Sequence, residues 1–154
     1  MNLLSKSKFQ TQKFSVKLAQ KILRPTPPAL RARVIALCGD LGAGKTTFVQ
    51  GFMKALGVKH HITSPTFLII RKYEIFTPLK KNRPHYHHVY HLDLYRIQKP
   101  KELLDLGFQK ILQEPHAIVL IEWPERVKKL LPKNTVWINF EHGKKEKERI
   151  IKLK

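Results

Sequence analysis

Apolar positions recur along the chain at two spacings, one helical and one extended. Between Thr11 and Leu23, Phe14, Leu18 and Ile22 stand at four-residue steps, which puts them on one stripe of an amphipathic helix. Arg24-Pro25-Thr26-Pro27-Pro28 ends it, because proline cannot continue a helix and disfavours α geometry in the residue before it. Val34-Ile35-Ala36-Leu37-Cys38 is a short unbroken apolar run and reads as a buried strand. Helical spacing returns with Phe48, Val49, Phe52, Met53 and Leu56, and Gly57 is placed to cap that helix.

The segment from Ile62 to Ile75 is rich in β-branched and aromatic residues and reads as a loop feeding a strand. A second strand is predicted from Tyr86 to Leu94, joined to the first by a long, polar, proline-bounded hairpin loop. Pro100 to Leu112 predicts a short helix with Leu103, Leu104, Leu106, Phe108, Ile111 and Leu112 as its apolar positions. Gly107 weakens that helix by about 1 kcal/mol relative to alanine. Ala117-Ile118-Val119-Leu120-Ile121 is too short for an ordinary helix and suits a strand buried on both faces, ending in Glu122. A short helix from Glu125 to Leu131, stopped by Pro132, and a terminal hairpin complete the pattern. The hairpin joins Thr135–Phe140 to Arg149–Leu153 with a turn at His142-Gly143.

Between the first strand and its helix, Gly39-Asp40-Leu41-Gly42-Ala43-Gly44-Lys45-Thr46 satisfies G-x-x-x-x-G-K-[ST]. This pattern makes a phosphate-binding loop, in which backbone N–H groups cradle phosphates and a hydroxyl holds Mg²⁺. Small residues at Gly39, Gly42, Ala43 and Gly44 let the backbone approach an anion. Lys45 then reaches the β- and γ-phosphates, Thr46 ligates Mg²⁺, and Thr47 can donate to the α-phosphate. Strand, glycine loop and helix stand in the order this chemistry requires. The alternation of strands and helices around them predicts an α/β, P-loop NTPase-like three-layer sandwich in one domain spanning 1–154, its mixed sheet having a parallel core and antiparallel hairpin additions.

Hydrolysis needs a carboxylate for the metal's water shell and a group to position water. Asp93 and Glu122 each end an apolar strand, where ligands of open α/β sheets collect. Asp40, inside the loop, is a third acid and sits oddly beside phosphates unless it orients water or a cation. Ser64-Pro65-Thr66 lies where a segment sensing the γ-phosphate would lie, and reads equally as an ordinary turn. The histidines His60, His61, His85, His87, His88 and His91 lack a cysteine partner and a zinc-type spacing. Cys38 reads as core rather than nucleophile, and Trp123 is placed to stack on a base or partner, or to pack in the core.

Composition changes this picture in two ways. A single cysteine excludes an internal disulfide framework, and neither a signal-type h-region nor an apolar run of about 18 residues occurs, so a soluble, cytoplasmic chain without a membrane span is expected. The net charge of +19, from 30 Lys+Arg against 11 Asp+Glu, favours association with RNA, an acidic protein or a nucleotide. Two alternatives stay open from the residues alone: a small-molecule P-loop kinase and a nucleotide-regulated RNA-binding module. A GTPase is disfavoured because no N-K-x-D base-reading motif is present.

GDLGAGKTTF at Gly39–Phe48, TSPTF at Thr63–Phe67, HLDLYR at His91–Arg96 and IEWPERV at Ile121–Val127 occur in that order. Together they resemble the TsaE family, the bacterial ATPases of tRNA threonylcarbamoyladenosine biosynthesis. Weaker similarity covers Thr11, Leu18-Ala19, Glu102 and Leu106-Gly107-Phe108. The resemblance implies ATP and Mg²⁺ as cofactors and the TsaB and TsaD proteins as partners. In that scheme hydrolysis supports turnover of the complex that modifies the adenosine beside the tRNA anticodon. It implies that Asp40, Leu41, Gly42, Ala43, Gly44, Lys45, Thr46, Thr47, Thr66, Trp123 and Thr11 bind nucleotide. Thr46, Asp93 and Glu122 would serve the metal, with Asp93 as the metal-shell acid, and Glu122 and Lys45 would act in catalysis, Glu122 by positioning water. The stretch from Tyr73 to His91 is longer than the family's usual hairpin, and its Lys80, Lys81 and Arg83 are candidates to contact tRNA or an acidic face of the transferase.

Overall fold

The computed structural model describes residues 2–22, 31–60, 62–63, 68–75 and 86–154. Thr66, the basic segment with Lys80, Lys81 and Arg83, and His61 and His85 lie outside the described residues. Seven strands form one sheet: β1 (Asn2–Ser5), β2 (Arg33–Cys38), β3 (Ile70–Glu74), β4 (His88–Asp93), β5 (Ala117–Glu122), β6 (Val136–His142) and β7 (Arg149–Leu153). Their order across the sheet is β1-β7-β6-β2-β5-β4-β3. The central β6, β2, β5 and β4 run parallel. The edges are antiparallel, β3 on β4 and β7 on β6, with β1 added outside β7. This is the predicted mixed sheet with hairpin additions. Strand β1 was not foreseen, because four residues at a sheet edge carry too little periodicity to read.

Strand alternation divides the core in two. On one face Ile35, Leu37, Ile118 and Leu120 pack with Leu18 and Ala19 of α1 (Lys8–Ile22) and with Phe48, Val49, Phe52 and Met53 of α2 (Lys45–Ala55). On the other, Val34, Val119 and Ile121 pack with Leu103 of α3 (Pro100–Asp105) and with Phe108, Ile111 and Leu112 of α4 (Phe108–Gln113). The result is three layers. Phe48 centres an aromatic cluster on the α1 side, edge-on to Phe140 at 5.6 Å and flanked by Phe14 and Phe52 at 6.3 and 6.0 Å. Each such buried side chain contributes roughly 1.5–3 kcal/mol.

Three boundaries differ from expectation. Helix α1 starts at Lys8 rather than Thr11. The helix expected over Pro100–Leu112 is two helices, because Gly107 takes φ 81 and turns the chain between them, a conformation that side chains with a Cβ rarely adopt. The segment after Trp123 is a 3-10 helix, Pro124–Leu130. The terminal hairpin is present, but His142 still belongs to β6 and the connection runs over 143–148. Among the described residues no helix is long and apolar enough to cross a membrane.

Candidate functional site

Strands β2, β4 and β5 end side by side, and the chain links them there: the Leu94 N–H donates to Glu122 O at 3.0 Å and the Trp123 N–H to Leu37 O at 3.3 Å. Beyond β2 the glycine loop turns into α2. Gly44, at φ 100, is the N-cap and carries no side-chain cap, so the first N–H groups of α2 are left to an anion, as is the positive end of the helix dipole. A turn bond from the Ala43 N–H to Asp40 O at 3.2 Å shapes the loop. Its outer rim is held from the far end of the chain. Arg149 Nε donates to Gly42 O at 3.1 Å, and His142 Nε2 lies 3.3 Å from Leu41 O.

Lys45 is folded into this loop. Its Nζ donates to Gly39 O at 2.6 Å and Asp40 O at 2.9 Å and lies 3.8 Å from the centroid of the Trp123 ring. Burial pulls the Lys45 pKa below the ordinary lysine value, opposed by the negative charges of Glu122, Glu125, Asp93 and Asp40. Trp123 presents its ring here because its backbone takes φ 60, between the end of β5 and the 3-10 helix; Tyr95 packs on it at 5.0 Å.

The two acids face each other in register, Asp93 on β4 opposite Glu122 on β5, and both are buried. Glu122 receives the Thr46 hydroxyl, whose Oγ1 lies 3.1 Å from Oε1 and 3.0 Å from Oε2. Asp93 Oδ1 accepts the Tyr95 N–H at 3.0 Å. Lys45, Thr46, Asp93, Tyr95, Glu122 and Trp123 line one cavity of about 420 Å³ together with the loop. Its oxygen donors suit a hard cation such as Mg²⁺. Among the described residues no three His, Cys, Asp or Glu side chains are grouped to hold a metal by themselves. A cation here would therefore draw on Thr46, phosphate oxygens and water as well, the usual habit of Mg²⁺ beside a phosphate.

A second cavity of about 400 Å³ adjoins it on the other side of Gly42 and Gly44, lined by Thr11, Thr47, Lys147 and Arg149 among others. Thr11 is buried there with its hydroxyl 2.8 Å from that of Ser5. The predicted residues are thus mostly brought together. Leu41, although exposed at 74%, lines the first cavity, and an exception on the loop is Ala43, which is buried and lines neither of the two. Asp40 faces a neighbouring cavity with Glu125 and Arg126, and only its carbonyl reaches Lys45. Cys38 is half-buried and belongs to neither core cluster, unlike the core position expected of it; burial first and then Glu125 push its thiol pKa up to about 12, which disfavours the thiolate that a nucleophile needs.

Sequence reasoning passed over His91, whose Nε2 lies 2.9 Å from Glu122 Oε1. The signal was available, since His91 and Asp93 stand two apart on one strand and share a face. For Arg149 and His142, about a hundred residues from the loop they hold, no local signal exists.

The sequence model described as "Threonylcarbamoyl adenosine biosynthesis protein TsaE" matches residues 5–151. The chain is 31% identical over 134 residues to the tRNA threonylcarbamoyladenosine biosynthesis protein TsaE of Haemophilus influenzae, covering 87% of this chain and 77% of that protein. It is 38% identical over 135 residues to the TsaE of Rickettsia prowazekii, covering 87% and 81%. Among solved structures it is similar to the crystal structure of Bacillus subtilis YdiB, with a TM-score of 0.70 and 24% identity over 99% of this chain and 83% of that one, a likeness of fold.

Proposed function

The chain belongs to the TsaE family of threonylcarbamoyl adenosine biosynthesis proteins, and from that premise we propose that it is the ATP-binding and ATP-hydrolysing component of this tRNA modification, acting with Mg²⁺ to support turnover of a TsaB–TsaD transferase. One observation carries the reading: Lys45, Thr46, Asp93 and Glu122, drawn from three separate parts of the sequence, line a single cavity at the mouth of a phosphate loop.

In this reading Lys45 exchanges the Gly39 and Asp40 carbonyls for phosphate oxygens, a stronger, charge-assisted pairing. The Thr46 hydroxyl, now on Glu122, would hold the cation. Bound Mg²⁺ would supply charge neutralisation at the transferring phosphoryl group. Glu122 is the acid in contact with Thr46 and would share its cation, so we assign Glu122 to the metal shell and Asp93 to the attacking water. This reverses the division implied by the family resemblance. Thr47 and Thr11 line the second cavity, whose size suits the nucleoside, and Trp123 covers Lys45. Any contact with tRNA is made through the complex, aided by the basic surface.

The test is ATP hydrolysis with and without the TsaB–TsaD pair, for the wild type and for Glu122→Ala. Partner-stimulated hydrolysis that is lost in Glu122→Ala is expected. Equal rates in all four measurements would refute both the ATPase assignment and the role of Glu122.

A further inference from the structure

His91 lies on β4, one strand in from the edge of the sheet, between Arg71 of β3 and Leu120 of β5, with 0% of its surface exposed. Its Nε2 is 2.9 Å from Glu122 Oε1, while its Nδ1 is buried without a hydrogen-bond partner among the described residues. A carboxylate only accepts, so Nε2 is the donor of this hydrogen bond. An unsatisfied polar atom in the core is costly, and an apolar side chain of similar size would fill the same space without that cost. What a leucine there could not do is donate to Glu122.

The need for that donor follows from the other partner of Glu122. The Thr46 hydroxyl bridges both carboxylate oxygens, and in the function proposed above it leaves them for the cation. Among the described residues Glu122 then keeps one side-chain anchor, the imidazole behind it. We propose that His91 is a positioning residue: it holds Glu122 Oε1 against the sheet so that Oε2 stays directed into the cavity when Thr46 changes partner. This rests on the reading of the cavity as an ATP and Mg²⁺ site.

The experiment compares His91→Leu, which removes the donor, with His91→Gln, whose amide can place an N–H near the position of Nε2, in the full chain with TsaB and TsaD. For His91→Leu, kcat for ATP hydrolysis is expected to fall roughly 10- to 100-fold, the scale of a misplaced catalytic group, with KM nearly unchanged. His91→Gln should recover most of the loss, and His91→Leu should add little to Glu122→Gln, since residues acting as one unit are not additive. If His91→Leu does not fold, His91→Asn, too short to reach Glu122, takes its place with the same expectation. Wild-type kcat in the donor-less variant, or equal losses with and without the amide, would overturn the proposal. Should the wild type itself fail to hydrolyse ATP, the functional reading falls, and His91 is judged from crystal structures of the two variants. A Glu122 carboxylate displaced from Thr46 in the leucine variant alone supports its role; one that stays in place refutes it.

Discussion

Replacing Gly51 by alanine in the middle of α2 should destabilise this protein, although a glycine-to-alanine change inside a helix ordinarily stabilises by about 0.5–1 kcal/mol. A Cβ on Gly51 would lie 2.1 Å from Ser15 Oγ, 2.7 Å from Gln12 O and 2.8 Å from Gln12 Cα. All three atoms belong to α1. Ser15 is fully buried and its hydroxyl already donates to Gln12 O at 2.7 Å, so it has nowhere to turn. The two Gln12 atoms are backbone, and they retreat only if α1 moves off α2, loosening the Phe14–Phe48 contact. Overpacking of this kind costs about 1–3 kcal/mol. Against the gain in helix propensity, about 1 kcal/mol of net destabilisation remains at the middle of the two ranges, or a fall in Tm of roughly 2–4 °C for a chain of this size. Urea and thermal unfolding of wild type, Gly51→Ala and the double variant Gly51→Ala/Ser15→Ala measure it. The double variant relieves the hydroxyl clash and leaves the backbone clash, so it should recover only part of the loss. A Gly51→Ala protein as stable as the wild type would refute the argument that α1 and α2 touch through backbone at this point.

Lys45→Met should weaken binding of ATP by at least about tenfold in isothermal titration, the effect of one lost charge-assisted hydrogen bond. The same pair of proteins tests the lowered Lys45 pKa. The folded state releases that proton before the unfolded chain does, so the unfolded state binds more protons in between, and wild type should gain stability relative to Lys45→Met as pH rises through the lowered value towards the ordinary lysine pKa. Nucleotide that draws Lys45 away from Trp123 should change tryptophan emission in the wild type, and Trp123→Phe, which keeps only Trp137, should lose that response; an unaltered response would remove Trp123 from the site. Cys38, its pKa raised to about 12, should react with a thiol reagent at pH 8 far more slowly than a free cysteine, and equal rates would contradict its burial beside Glu125.

Much of the site was legible before any coordinates. The loop from Gly39 to Thr46 carries its chemistry in local spacing, because backbone donors, lysine and hydroxyl must follow one another along a single turn. Asp93 and Glu122 were recognisable as acids ending apolar strands. The contact on which their proposed division of labour rests was not, since the Thr46–Glu122 hydrogen bond joins residues 76 positions apart. Asp40 shows the reverse case: placed in the loop by sequence, it contributes its carbonyl to Lys45 while it lines a neighbouring cavity. The split at Gly107 was half visible, since the glycine was noted as a weakness in a helix and its φ of 81 turns out to end one helix and start another.

By itself the sequence determined what each segment could become: the amphipathic stripe of α1, the buried β2 and β5, the phosphate loop and the family to which the chain is similar. These depend on neighbours a few residues apart, and spacing along the chain records them. Tertiary structure alone decided that β1 closes the sheet beside β7, that Arg149 and His142 hold the rim of the loop, and that His91 stands behind Glu122. Those contacts arise where distant strands are set in register, and register is fixed by the packing of both sheet faces together, which no single segment encodes.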